Sequence, residues 1–502
     1  MTEKIRNNRL LIGLYMIIAA VLVIGNVAVI DNDFYHIAVS GKEILADWNN
    51  MYENTHFVKE GYGNVIQQWA YSVMLYKSYD IAGFTGVRIF TLIQYVLLLY
   101  AAYAFLKEKA SKQMALIGSL IVPLCLANYV SCRPQMISLI LILAQFTVVE
   151  KYRKSGKIRL LYLLPLLTLV EVNVHLTFGL FHFVFLLPYL VPTVKPMKRF
   201  GITKGSLPVK PFIVPMVLMA LAMLANPYTY RSYTLLAESG DINALQIGEL
   251  QPLNMLSSHF VIFMTGVGAF SFLAFKKKIT STSLYLFFGT VLMYVLAMRN
   301  VIFYNVTILY LFSEIAAYIG KDKLAEFYGV IRKASRRVNG VAVAGITAIA
   351  LAGCAVMIWR TSPEENVAET KMIYDVTDYL KENEADMSKV KLFTPFRTGS
   401  HFLWNGVGHI YLEPKTEPYI KSVNGKKDII AEYCYIRDIA DGTGIEKFLE
   451  EYDFDYLYTD ANMHNLNTYL SLSDEYECVV SSDSKGKEGL EYVQFHLYKH
   501  IR

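Results

Sequence analysis

Long apolar runs separated by short polar stretches fill the chain as far as Trp359. Beyond Arg360 the apolar residues fall into short groups between polar ones. A helix needs about 20 apolar residues to cross a hydrocarbon layer of about 30 Å. On that criterion the pattern predicts about eleven spans. They are Leu10–Ile30, Phe84–Leu106, Met114–Ser131, Pro134–Val149, Leu160–Val172, Thr177–Val191, Phe212–Ala225, His259–Phe275, Leu284–Met298, Ile302–Ile319 and Val341–Trp359. After residue 360 the periodicity changes. Val376–Tyr379 and Ile445–Tyr452 read as helices, and Val390–Phe393, His409–Leu412, Tyr456–Tyr458, Cys478–Val480 and Tyr492–Tyr498 as strands. Asp453-Phe-Asp-Tyr-Leu-Tyr reads as a helix-to-strand step. The predicted fold is therefore mainly α: a polytopic helical membrane domain over 1–360 and a small soluble α/β domain over 361–502.

Composition supports this division, and charge orients it. Hydrophobic residues make up 54% of the chain, more than the roughly 45–50% of an average soluble protein. The net charge is +5, and the cations sit in short loops, so they signal topology rather than nucleic-acid binding. Alternate loops carry Lys4/Arg6/Arg9, Lys107/Lys109/Lys112, Lys151 to Arg159, Lys195 to Lys210, Lys276–Lys278 and Arg332 to Arg337. The positive-inside rule puts these loops and the N-terminus in the cytoplasm and the C-terminal domain outside. The first apolar run, behind its basic residues, reads as a signal anchor. The five cysteines show no metal-binding spacing; Cys434 and Cys478 have the option of pairing in an external domain.

The candidate chemistry begins where the first span ends. Asp31-Asn32-Asp33-Phe34-Tyr35-His36, with Gly41 following, opens the first external loop, 31–83. Apolar positions between Tyr35 and Trp48 suit an amphipathic helix, and Val65–Tyr79 reads as an interfacial helix with Trp69 as an anchor. Two carboxylates two residues apart suit a general base, or a pair holding a divalent metal such as Mg or Mn. The competing use is capping of the following helix by Asp31 or Asn32. His36 is one turn from Asp33, so both lie on one helical face. Other predicted external span ends carry Arg133, the set Glu171, Asn173 and His175, then Asn226-Pro227-Tyr228 with Arg231, and Arg299. Guanidinium groups suit phosphate oxygens, and snorkelling to headgroups is their alternative role. The Glu171–His175 set fits either a ligand site or a buried hydrogen-bond network. Arg397, His401, Trp404 and His409 read as parts of an accessory domain without chemistry of its own.

In their order along the chain these segments resemble bacterial multi-pass membrane glycosyltransferases of the GT-C fold. The likeness rests on the Asp31-x-Asp33 loop with its aromatics, His36 and Gly41, on Gln68-Trp69, Arg133-Pro134 and Asn173-x-His175, and on Asn226-Pro227-Tyr228 with Arg231. One departure is Trp48-Asn49-Asn50-Met51-Tyr52, where a proline-rich entry is expected. The resemblance implies transfer, with inversion, of a sugar from a polyprenyl-phosphate or diphosphate donor. The acceptor would be an envelope glycan, lipid or protein outside a bacterial plasma membrane. It implies Asp33 or Asp31 as base or metal-facing carboxylate. It implies donor binding by Arg133, His175, Arg231 and Arg299, with His36, Asn173 and Tyr228 alongside. Non-catalytic alternatives are a transporter or flippase of a lipid-linked sugar, or a structural partner in envelope polysaccharide assembly.

Overall fold

A computed structural model describes residues 2–28, 30, 32–52, 57–126, 132–231, 233, 250–360, 368–415, 417–419, 421–481 and 495–501. The chain divides into two compact units. One comprises Met1–Ile30, Ala82–Thr229 and Ile247–Thr361; the other comprises Asp31–Ile81, Tyr230–Gln246 and Ser362–Arg502.

The first unit is all helix. Among the described residues six helices are long and apolar enough to cross a membrane: Asn8–Gly25, Trp69–Leu106, Gln135–Ser155, Ser258–Phe275, Met298–Ile319 and Gly340–Arg360. Shorter apolar helices lie at Lys112–Leu126, Leu176–Leu190, Lys210–Met223 and Ser281–Leu296. The apolar windows in Gln135–Ser155 and Met298–Ile319 are each 72% buried, whereas that in Gly340–Arg360 has no buried residue. Helices that are apolar yet have no buried residue need hydrocarbon as their solvent, so this distribution is that of a membrane protein. The centre is filled with aromatics, including Phe105, Phe146, Phe185, Tyr189, Phe303 and Tyr310. Thr2–Ala28 packs on Gly340–Arg360, where a Cβ on Gly13 would sit 2.9 Å from Val343. Small residues at such a crossing let two backbones approach closely.

Two predicted spans take a different form. Met114–Ser131 was expected to be one span; its described part is two short helices, Lys112–Gly118 and Ile121–Leu126. Pro123 has no N–H to give the Ser119 carbonyl, which breaks the ladder there; residues 127–131 lie outside the described residues. The helix predicted at Ile302–Ile319 runs on to Arg337. The added segment is rich in Lys, Ala, Glu and Arg, good helix formers that a hydropathy criterion does not count.

The basic loops do more than carry charge. Lys109 Nζ lies 3.3 Å from Glu150 Oε1 and 3.9 Å from Glu314 Oε1, and 3.7 Å from the centre of the Tyr310 ring. Arg153 Nε is 3.6 Å from Glu150 Oε2, and its guanidinium also donates to the Gly205 carbonyl. Lys154 pairs with Glu108 at 3.0 Å. A buried charge needs a partner of this kind.

The second unit is α/β. Its sheet has the order β2-β1-β3-β5-β4, with β1 Lys391–Phe393, β2 His409–Ile410, β3 Tyr456–Asp460, β4 Tyr476–Ser481 and β5 Phe495–His500. The first three are parallel, with Leu392 opposite Tyr456, and β5 and β4 are antiparallel additions. Ile373, Val376, Leu392, Phe402, Tyr458 and Leu497 belong to the core. The Gly442–Tyr452 helix starts at Asp441, whose side chain accepts from the Gly444 N–H, and stops at Asp453, left-handed at φ 46°. β3 follows directly, which is the predicted step. The remaining strand expectations hold within a few residues, although 491–494 lie outside the described residues. None of the five cysteines forms a disulfide.

The first loop belongs to this second unit. Its helices are Asp33–Ala46 and the start of Trp69–Leu106, which kinks at Ala82 and Gly83. Gly83 has φ 58°, a conformation glycine adopts without strain. The two helices touch at Gly41, where an added Cβ would lie 2.1 Å from the Ser72 carbonyl oxygen.

Candidate functional site

Asp31 lies outside the described residues. Asn32 precedes the Asp33–Ala46 helix but its side chain makes no capping bond. Asp33 is the first helical residue, half-buried, and His36 follows one turn later on the same face. The His36 Nδ1 atom is buried with no hydrogen-bond partner among the described residues.

The other face explains the aromatic part of the motif. Phe34 and Tyr35 are 0% and 1% exposed, so they pack rather than bind. Tyr35 stacks on His401 with 3.7 Å between ring centres, and Phe34 meets Trp404 edge-on at 5.3 Å. Trp404 also packs on Tyr79. Both partners come from the short Gly399–Trp404 helix. Burial lowers the His401 value to about 3, which keeps the ring neutral. His401 and Trp404 thus anchor the Asp33 helix through its buried face. Trp69 packs edge-on against Trp48.

The remaining predicted residues, apart from Arg231, lie in the first unit. Arg133 is half-buried; Cys132 before it has φ 53°, and Pro134 after it precedes the Gln135–Ser155 helix. Ser138, one turn into that helix, touches both Glu171 and His175. His175 ends the Leu163–Val174 helix and stacks on Phe178 at 4.0 Å. Arg299 is exposed in the Met298–Asn300 turn, close enough to act on His175 electrostatically. Asn173 has a structural job: its Nδ2 donates to the Leu169 and Ala225 carbonyls, both at 2.9 Å. Asn226 Oδ1 accepts from the Tyr228 N–H and so closes the Asn-Pro-Tyr turn; Tyr228 is buried and Arg231 exposed.

The sequence pattern did not single out Ser138, Gln145 or His182, and gave Glu171 only an open role. Ser138 Oγ donates to Glu171 Oε1 at 2.5 Å and lies 3.1 Å from His175 Nδ1. His182 Nε2 is 3.4 Å from Glu171 Oε2, and His182 Nδ1 is 2.6 Å from Gln145 Oε1. Ser138, Gln145, Glu171 and His182 are each 0% exposed. The available signal was a lone histidine or glutamine inside an apolar run, which is costly at membrane depth unless partnered.

Among the described residues no group of three or more His, Cys, Asp or Glu side chains is placed to hold a metal ion. Asp33 and His36 offer two donors one turn apart, too few for a closed site.

No family model matches the chain, and no curated protein matches it in sequence. Among solved structures, it shares its fold with the crystal structure of an Archaeoglobus fulgidus oligosaccharyltransferase in complex with Zn and sulfate. The TM-score is 0.51, and the match covers 94% of this chain and 72% of that one at 11% identity. A likeness at that identity is one of fold alone.

Proposed function

We propose that this protein is a membrane glycosyltransferase. It transfers a sugar from a polyprenyl-phosphate or diphosphate donor to an envelope glycan, lipid or protein, with inversion. The observation that carries this reading is the fold shared with an oligosaccharyltransferase along almost the whole chain. The guanidinium groups of Arg133, Arg231 and Arg299 are suited to a phosphate group.

In this reading Asp33, or Asp31, takes the acceptor hydroxyl proton. Arg133, His175, Arg231 and Arg299 hold the donor phosphate, and His36, Asn173 and Tyr228 shape the site. If transfer depends on a divalent metal, Mg or Mn, Asp31 and Asp33 would hold it. The chain crosses a bacterial plasma membrane about eleven times, by the span length of about 20 residues. Its N-terminus is cytoplasmic, and 361–502 is an extracytoplasmic domain.

The test is transfer in membranes with a panel of polyprenyl-phosphate sugars, with and without chelator. Asp33→Asn is expected to abolish transfer without altering the thermal transition. Full activity in that variant removes the base role. A wild-type protein inert toward every donor overturns the transferase reading and favours a transporter of lipid-linked sugars.

A further inference from the structure

The buried polar chain in the first unit fixes where its protons sit. Gln145 Nε2 donates to the His182 carbonyl at 2.9 Å, so its Oε1 faces His182 Nδ1. Oε1 can only accept, so His182 Nδ1 carries a hydrogen. His182 Nε2 then faces Glu171 Oε2 at 3.4 Å, and neither atom has another hydrogen-bond partner among the described residues. Two lone pairs buried face to face repel, so this imidazole–carboxyl pair holds one proton between Nε2 and Oε2. The other carboxyl oxygen, Oε1, is left as an acceptor for the Ser138 hydroxyl at 2.5 Å.

The serine has one proton, and the 2.5 Å contact to Glu171 takes it ahead of the Pro134 carbonyl at 3.4 Å. Its lone pairs face His175 Nδ1 at 3.1 Å. Nδ1 must therefore donate, and a neutral His175 keeps its lone pair on Nε2. That nitrogen makes no hydrogen bond among the described residues. Around the ring, Phe178 stacks on one face, and the nearby charged groups are Glu171, reached through Ser138, and Arg299.

We propose that Ser138, Glu171, His182 and Gln145 are positioning residues that hold His175 as its Nδ1–H tautomer, leaving Nε2 as a hydrogen-bond acceptor for a substrate hydroxyl in the transfer proposed above. This rests on the transferase reading for its role, though not for the tautomer. Nε2 accepts a hydrogen bond from a hydroxyl of the donor sugar and so orients it. The proton of the attacking hydroxyl goes to Asp33 or Asp31, and no bond is made or broken at His175.

The experiment is ¹⁵N NMR of full-length, histidine-labelled protein in lipid nanodiscs, with His175→Gln to assign the signal. The expected spectrum gives His175 a protonated Nδ1 and an unprotonated Nε2. Ser138→Ala should convert it to a mixture of tautomers, and Ser138→Thr should restore it. In the transfer assay Ser138→Ala should lower kcat by on the order of a hundredfold with little change in donor KM, and Ser138→Thr should recover it. A wild-type spectrum with hydrogen on Nε2, or one unmoved by Ser138→Ala, overturns the assignment. The expected spectrum with unchanged kcat in Ser138→Ala overturns the orienting role. The expected spectrum in a protein that transfers no sugar leaves the tautomer standing and removes the transferase reading.

Discussion

Replacing Gly41 by alanine adds one methyl group at a point where two helices of the second unit touch through backbone. The added carbon would sit 2.1 Å from the Ser72 carbonyl oxygen, 2.5 Å from its carbon and 3.0 Å from Tyr76 Cβ. A carbonyl within a helix cannot swing aside as a side chain can. The helices must separate by about 1 Å to restore a normal carbon contact, and a gap of that size forfeits roughly a quarter to a half of each affected dispersion contact. Ile37, Ile44, Tyr71 and Leu75, none more than 3% exposed, are buried in these two helices. Overpacking of this kind costs about 1–3 kcal/mol, and the rigid obstacle places Gly41→Ala near the upper end. For a unit of this size that is a fall of roughly 5–10 °C in Tm. Three of the four tryptophans, Trp48, Trp69 and Trp404, lie in this unit, so intrinsic fluorescence during heating reports its unfolding. Gly63→Ala is the control, because nothing lies within 4 Å of the carbon it would add. A Gly41→Ala transition within about 1 °C of wild type, against the several degrees that overpacking implies, would refute the packing argument.

His401 supplies a pH dependence in the same assay. Its folded value of about 3 lies below the ordinary 6.5, so the unfolded chain binds a proton that the folded one refuses. The stabilisation is full above about 6.5 and is lost as pH falls toward 3, by about 1.4 kcal/mol per unit. From pH 7 to pH 5 the second unit should lose about 2 kcal/mol, and His401→Phe should flatten that slope; an unchanged slope refutes it. Glu150→Ala leaves Lys109 and Arg153 without their shared carboxylate and should cost the membrane helices about 3–5 kcal/mol, read as lost monodisperse protein in detergent. Asp441→Ala removes a helix cap and should cost about 1 kcal/mol; no shift in the tryptophan transition would deny the cap its role.

Elements whose pattern is local were legible in the sequence. The apolar runs located most of the helices, and short apolar groups located the strands, because both depend on neighbouring residues. The turn at Asp453 was legible because a polar residue able to adopt a left-handed backbone falls between a helix pattern and a strand pattern. The break near Pro123 was legible in principle, yet an apolar window counts proline as one more permitted residue. Pairings across the chain were not legible. Ser138, Glu171 and His182 meet from three helices, and no spacing rule connects positions on different helices. The aromatic pair Phe34–Tyr35 looked like part of the site. Its role in packing depends on His401 and Trp404, which lie hundreds of residues away.

The ion pairs around Glu150 give some basic residues two duties at different times. The positive-inside rule counts cations on a chain that has not yet packed. Lys109, Arg153 and Lys154 are available to that count while the helices are separate, and each is then matched by a carboxylate when they assemble. The signal that directs insertion is consumed by folding. A neutral residue at Lys109 would therefore weaken first the orientation of its loop and then the finished bundle, and the carboxylates alone would report the second effect. Comparing Lys109→Gln with Glu150→Gln thus separates a fault in insertion from a fault in assembly within one small set of residues.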